Sequence, residues 1–252
     1  MRRRIAGGLV REVGYEQGID YEQIVEISPD VVFTFGVEGT EVAVAEKLRE
    51  LGIQVVFCGE YLETHPLGKA EWIKFFASFF GQKEQAGRWF LGIDSAYHTL
   101  HSMAAGAVDR PQVLTGLPWK DTWYMAGGNS HAARLIQDAG GDFLWSDHPS
   151  REAVPLNLES VYTRALRADI WINPGAVRTL EQLAAFDSRF RDLPACRSGR
   201  VYNNDRRLGT GGGNDYWESG VVRPDLVLKD LIKVFHPDLL EDHPLVYYRK
   251  LK

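Results

Sequence analysis

The stretch DVVFTFGVEGTEVAVAEKLRELGIQVVF, residues 30–57, decides the fold class of this chain. Its two ends, DVVFTF at 30–35 and IQVVF at 53–57, are compact apolar runs of the length that buried strands have. Between them, residues 41–51 place apolar side chains at three-residue steps, which is typical of a helix, and Gly52 provides its C-terminal stop. This order predicts a βαβ unit with parallel strands and a right-handed crossover.

A second α/β region follows a long helical segment. Residues 83–108 repeat apolar side chains at spacings of three and four, which predicts an amphipathic helix of about 40 Å. Beyond Pro111 the α/β pattern restarts, with strands predicted at 112–115 and 168–172 and a closing helix at 224–235. We therefore predict an N-terminal α/β lobe, a connecting helix and a C-terminal α/β lobe, with the bounds 1–82, 83–108 and 109–252.

The composition excludes several function classes. The chain has 252 residues, 44% of them apolar, which is enough for a sizeable core. Its 34 acidic and 29 basic residues are interspersed and sum to −5, so no basic stripe is available for a nucleic acid. Cys58 and Cys196 are too few for a disulfide framework, and we predict packed or free thiols. The sequence contains no apolar stretch of signal-peptide or membrane-spanning length.

Two segments of the chain repeat one pattern. Residues 21–24 (YEQI) precede a predicted strand that opens with Asp, and residues 158–161 (LESV) do the same. Glu22 and Glu159 therefore occupy equivalent places in the two segments. Such a repeat indicates two lobes built on related plans.

These segments also carry a resemblance to a known family. The chain resembles the substrate-binding components of ABC importers for iron siderophores, haem and cobalamin. The similar stretches are IDYEQIVEISPDVVFTFG (19–36), LRELGIQVVF (48–57), GGNSHAARLIQDAGGDFLW (127–145) and LNLESVYTRALRADIWINPG (156–175), together with the long middle helix and residues 214–240.

The resemblance implies two Rossmann-like lobes joined by one long rigid helix, with a metal chelate (ferric siderophore or haem) or cobalamin captured in a cleft between them. It implies a monomeric binding protein and not an enzyme, with no cofactor of its own, although the ligand carries iron or cobalt. The partner is a membrane permease, and the location is the periplasm or, as a lipoprotein, the outside of the inner membrane. Family members begin with an export signal and a further βα segment, so we expect the first lobe to be truncated at its N-terminus.

The resemblance also implies that Glu22 and Glu159 dock onto arginines of the permease. The alternative is that both are ordinary first-turn carboxylates that stabilise a helix N-terminus.

Residues 117–131 (LPWKDTWYMAGGNSH) are the first candidate for ligand contact. They follow a predicted strand and precede a predicted helix, so they should lie at the carboxyl edge of the sheet, where α/β proteins bind ligands. Trp119, Trp123 and Tyr124 are flat side chains suited to a macrocycle or catecholate. The alternative is that these rings pack under the loop.

A glycine-rich loop is the second candidate. Four of the five residues at 209–213 are glycine, which allows close approach to a ligand. No Lys-Ser or Lys-Thr follows, so the loop is not a Walker motif. We expect its flanks to clamp an anionic chelate. The candidate residues here are Arg206, Arg207, Asn214, Tyr216 and Trp217. Two rivals remain: an α/β enzyme that uses this loop for a phosphate-bearing cofactor, and a scaffold whose aromatic cleft binds a protein segment.

The seven histidines do not predict a metal site. Only His98 and His101 have helical spacing, and both fall on the long helix with no carboxylate placed to complete a metal site. No Ser-His-Asp or Cys-His grouping occurs in a nucleophile-elbow context, so no catalytic residue is predicted.

Overall fold

The computed structural model describes residues 2–15, 18–36 and 40–252, and it divides the chain into two compact units, Met1–Leu62 and Glu63–Lys252. Both units combine helices with strands, so the predicted α/β class is confirmed. The division falls before the helix that precedes the long middle helix, whereas the sequence predicted the end of the first lobe after residue 82. The connecting role of the long helix stays a prediction.

The first unit contains the predicted βαβ unit. Its elements are α1 Arg2–Ala6, β1 Gly14–Tyr15, β2 Gly18–Ile19, α2 Tyr21–Ile27, β3 Val32–Phe35, α3 Thr40–Glu50 and β4 Val55–Cys58. Strands β3 and β4 pair in parallel from Val32 opposite Val55 to Phe35 opposite Cys58, as predicted. Asp20 caps the N-terminus of helix α2, because its carboxylate accepts a hydrogen bond from the Gln23 amide at 2.9 Å.

The second unit is built on a five-stranded sheet. Its elements are α4 Pro66–Ser78, α5 Lys83–Ala105, β5 Gln112–Thr115, β6 Thr122–Met125, α6 His131–Asp138, β7 Asp142–Phe143, β8 Val154–Asn157, α7 Leu158–Ala165, β9 Ile170–Ile172, α8 Leu180–Phe186, α9 Pro194–Arg197, β10 Val201–Asn203, α10 Ser219–Val222, α11 Pro224–Phe235 and β11 Arg249–Lys250. The strand order is β11-β10-β9-β5-β7; all neighbours are parallel except β11, which is antiparallel to β10. Strands β6 and β8 form a separate antiparallel pair.

The long middle helix is one uninterrupted element. The prediction of a helix at 83–108 is confirmed for Lys83–Ala105, and the helix ends at Gly106. At 1.5 Å per residue it is about 35 Å long. Its buried stripe packs within the second unit, and the residues of that stripe are Ala86, Phe90, Ile93, Tyr97, Leu100 and Ala104.

A buried carboxylate holds the C-terminal tail against α11. Asp230 is 0% exposed and accepts hydrogen bonds from the backbone amides of Val246, Tyr247 and Tyr248 at 2.7–3.1 Å. The fourth partner is Nε2 of His243 at 2.7 Å. Four donors compensate a charge that would otherwise be costly to bury. Asp230 thus positions residues 246–248. Strand β11 follows these residues directly and pairs with the edge of β10.

Both cysteines are free, as the sequence predicted. Burial raises the pKa of the Cys196 thiol to about 11, so this thiol is neutral at physiological pH.

Candidate functional site

Three loops meet at the carboxyl edge of the second unit's sheet. Because β5, β9 and β10 are parallel neighbours, residues 116–121, 173–179 and 204–214 leave the sheet on the same side. Nε1 of Trp171 donates to the Gly116 carbonyl at 2.8 Å, and Nδ2 of Asn203 donates to the Gly175 carbonyl at 2.8 Å. These bonds tie the first and second loops to the strands beside them. We call residues 116–121, 173–179 and 204–214 the edge loops.

The first edge loop presents an exposed indole. Trp119 and Thr122 exchange both backbone hydrogen bonds, at 2.8 and 3.2 Å, around a two-residue turn. Trp119 is 64% exposed. Lys120, the first residue of the turn, has a left-handed backbone with φ 55, and its Nζ lies 4.6 Å from the centre of the Trp119 ring. The sequence prediction for Trp119 did not include Lys120, although the Lys-Asp pair between two aromatic segments was the available signal.

The structure separates the two aromatic residues of β6. Side chains alternate along a strand, so Trp123 and Tyr124 face opposite ways. Trp123 is 1% exposed, stacks on Trp171 with ring centres 5.8 Å apart, and donates from Nε1 to the Thr115 carbonyl at 3.1 Å. An indole enclosed in this way has no face for a ligand, which corrects the prediction for Trp123. Tyr124 is 54% exposed and lies opposite Pro155.

The glycine-rich loop is closed by its own hydrogen bonds. The Gly209 amide donates to the Gly213 carbonyl at 2.8 Å, and the Gly212 amide donates to the Gly209 carbonyl at 2.9 Å. Gly212 has φ 83, a conformation that side chains rarely adopt. The side chain of Asn214 accepts from the Tyr216 amide at 3.1 Å. Asn214 therefore shapes the loop, and nothing in these contacts makes it a ligand group.

The flanks of this loop divide into structural and exposed residues. Arg207 pairs with Asp215 at 2.9 Å and lies 5.5 Å from the centre of the Tyr247 ring. Tyr216 is buried, and this burial raises the pKa of its hydroxyl. The prediction for Tyr216 is therefore corrected, because its ring is packed inside the unit, whereas the side chain of Arg207 stays half exposed beside Asp215 and its ligand role stays a prediction. Trp217 is 67% exposed, and Arg206 is exposed without an ion-pair partner among the described residues.

The turn before α6 is shaped by packing. A Cβ at Gly127 would collide with the Ser150 carbonyl, and one at Gly128 would lie 2.5 Å from the Ser146 carbonyl. Both glycines thus allow backbone segments to approach closely. Ser130 caps α6 by accepting from the Ala133 amide at 3.2 Å. Helix capping and close backbone packing therefore explain why these residues occur in the turn before α6.

His131, the first residue of α6, is held neutral. Burial is the largest cause and, with Lys69 and His65 nearby, lowers its pKa to about 4.

A buried polar cluster joins α5 to α6. Asp138 accepts from the Tyr97 hydroxyl at 2.7 Å and from Nε of Arg134 at 2.8 and 3.0 Å. His101 lies 3.6 Å from the same carboxylate, and His98 lies 3.5 Å from Asp94 on its own helix. In the described ranges, no three side chains of the metal-ligating types come together.

The two predicted docking carboxylates occupy equivalent positions. Glu22 and Glu159 lie exposed in the first turns of α2 and α7, just after the N-caps Asp20 and Asn157. Glu159 accepts from Nη1 of Arg189 at 2.8 and 3.0 Å and still leaves most of its side chain exposed.

Comparison with known proteins now assigns the family. Residues 5–208 match the family model described as "Periplasmic binding protein". The chain belongs to the periplasmic binding protein family. A lipoprotein of Methanocaldococcus jannaschii is 32% identical over 256 residues, which covers 97% of this chain and 62% of the relative. The chain spans 58 to 62% of the length of the two lipoprotein relatives that it matches first.

Solved structures of periplasmic binding proteins share the fold. A periplasmic haem-binding protein from Pseudomonas aeruginosa has a TM-score of 0.71 at 16% identity, covering 100% of this chain and 87% of its own. The vitamin B12 binding protein BtuF of Vibrio cholerae has a TM-score of 0.63 at 14% identity, covering 93% and 84%. These structures support the fold, and the family match over residues 5–208 confirms the resemblance drawn from the sequence. None of the described helices in this periplasmic binding protein combines the length and apolarity that a membrane crossing requires.

Proposed function

We propose that this periplasmic binding protein is the solute-binding component of an ABC import system and captures a metal chelate (ferric siderophore or haem) or cobalamin. The observation that carries the proposal is the carboxyl edge of the second unit's sheet, where the edge loops carry the exposed side chains of Trp119 and Arg206 and the turn after the third loop carries the exposed ring of Trp217. Large flat rings with few rotatable bonds bind planar ligands at a low entropic cost. Two proteins of the same fold are named for binding haem and vitamin B12, both large metal-containing macrocycles.

Ligand capture is tested by titrating the chain with haem, cyanocobalamin and a ferric siderophore while tryptophan fluorescence is recorded. We expect one of them to quench the exposed indoles and bind saturably. Trp119→Ala should then weaken binding about tenfold or more, since a central aromatic contact contributes about 2 kcal/mol or more.

Leu166→Ala is the matched control for this experiment. Leu166 is also exposed but lies just before β9, at the opposite end of the strands. The Leu166→Ala substitution should leave the affinity for the ligand unchanged. Absence of a saturable response to all three ligands would reject the proposed function.

We further propose that Glu22 and Glu159 dock the loaded protein onto its permease. The support is their equivalent exposed placement in the first turns of α2 and α7. With the permease reconstituted in liposomes, the double variant Glu22→Gln, Glu159→Gln should lower the stimulated ATP hydrolysis at least tenfold while ligand affinity stays unchanged. Two partly exposed charge pairs across an interface are enough for a change of this size.

Glu181→Gln provides the matched control for docking. Glu181 is also an exposed first-turn carboxylate, on α8. If the permease responds to all three substitutions alike, these carboxylates act only on their own helices, and the docking proposal is wrong.

A further inference from the structure

The turn at Lys120 carries a side chain that its backbone does not favour. Among the described residues, three that are not glycine have a positive φ: Ser28, Lys120 and Asn173. Ser28 ends helix α2, and asparagine tolerates this conformation better than most residues. Lys120 is the first central residue of a two-residue turn, where a left-handed backbone strongly favours glycine. The backbone conformation at position 120 therefore does not explain why the residue there is a lysine.

The ammonium group of Lys120 is held over an exposed ring. Its Nζ lies 4.6 Å from the centre of the Trp119 ring, within the range of a cation–π contact. No carboxylate pairs with it in the part of the chain that the structure describes. The charge is thus positioned and not neutralised, on the same loop that offers the Trp119 indole.

Arg206 supplies a second cation of the same kind. It follows β10, and Lys120 follows β5; these strands flank β9 on either side. At a spacing of about 4.8 Å between neighbouring strands, their ends are about 10 Å apart. Arg207 pairs with Asp215 at 2.9 Å and Arg249 with Asp205 at 2.7 Å, whereas Arg178, in the second edge loop, is exposed and forms no ion pair with the described residues. Lys120 and Arg206 are thus unpaired cations on the first and third edge loops, and Lys120 lies against the exposed Trp119 ring.

We propose that Lys120 is a specificity-determining residue that selects a planar macrocycle bearing carboxylates, with Arg206 as the partner for a second carboxylate. This inference rests on the proposed function and narrows it to one ligand class. An unpaired ammonium beside an indole attracts a carboxylate at the rim of a flat ring, and it gains nothing from a neutral ligand of the same shape. Glycine, which the backbone of this turn favours, would supply no such charge.

The test compares haem, which carries two carboxylates, with its dimethyl ester, which has the same ring and no charge at the rim. The wild-type chain should bind haem at least tenfold more tightly than the ester. Lys120→Gln should reduce that ratio several-fold by weakening the binding of haem alone, and Lys120→Arg should restore it. Lys120→Gly should leave thermal stability unchanged or raise it while reducing the ratio in the same way.

Each result has a distinct meaning. Equal affinities of the wild type for haem and its ester, or equal losses for both in Lys120→Gln, overturn the role of Lys120 and leave the proposed function intact. If neither compound binds, this inference is overturned, and titration with cyanocobalamin and a ferric siderophore decides separately whether the proposed function stands.

Discussion

Asp230→Ala is expected to lower the free energy of unfolding by about 3–5 kcal/mol, the usual cost of breaking a buried, fully hydrogen-bonded charge. The carboxylate is completely buried and accepts from three consecutive backbone amides and from His243. Without it, all four donors lose their acceptor in a site that excludes water. Because whole domains are stable by only about 5–15 kcal/mol, this substitution removes a large share of the total.

Urea unfolding of the full chain, followed by tryptophan fluorescence, measures this effect. Asp230→Asn keeps the shape but points amide hydrogens at groups that also donate, so we expect it to be strongly destabilising as well. Asp238→Ala, an exposed aspartate just beyond α11, is the control and should change the stability by about 0.5 kcal/mol or less. A loss below about 1 kcal/mol for Asp230→Ala would show that the tail does not depend on this carboxylate.

Acidification is expected to destabilise the protein through His131. Its pKa is about 4 in the folded chain, against 6.5 for an ordinary histidine. Above pH 6.5 the ring is neutral in both states, and stability does not depend on it. Between pH 6.5 and 4 the unfolded chain binds the proton more readily, so stability falls as the pH falls, by about 3 kcal/mol in all. Below pH 4 both states are protonated, and the loss levels off.

Comparison with His131→Gln isolates this contribution from other titrating groups. Unfolding free energies at pH 7 and pH 4.5 should differ by about 2 kcal/mol more in the wild type than in the variant. His65 and His236 also have lowered pKa values, with burial as the main cause, and both are present in each protein; the contribution of His236 cancels, and that of His65 cancels in part because His65 interacts with His131. Parallel pH profiles of the two proteins would mean that His131 is not buried as a neutral ring.

The sequence predicted those parts of the molecule that depend on local periodicity. Apolar spacing located β3, α3 and β4 as a βαβ unit, and it located the long helix α5 to within three residues of its end. The position of the first edge loop also followed from the order of strands and helices, whereas no such position was predicted for the other two. In each case, the information lies in neighbouring residues and in the period of the element that they form.

Contacts between distant residues could not be predicted in this way. Asp230 receives its hydrogen bonds from amides 16 to 18 residues further along the chain, and nothing in the local pattern of α11 marks it. His101 meets a carboxylate on another helix. Trp123 and Tyr124 are adjacent aromatic residues, and only the packing against Trp171 decides which of them turns inward. Long-range packing therefore decides which residues of the site are buried and structural and which are exposed.

The antiparallel strand β11 has a consequence for biosynthesis. It pairs with β10 through Tyr202 opposite Lys250 and Asn203 opposite Arg249. A ribosome releases these residues only after the other strands of this sheet have been made, so this border of the nascent sheet stays open until β11 emerges. An open border is a template for strands of other molecules, and chains that terminate before β11 should therefore tend to aggregate.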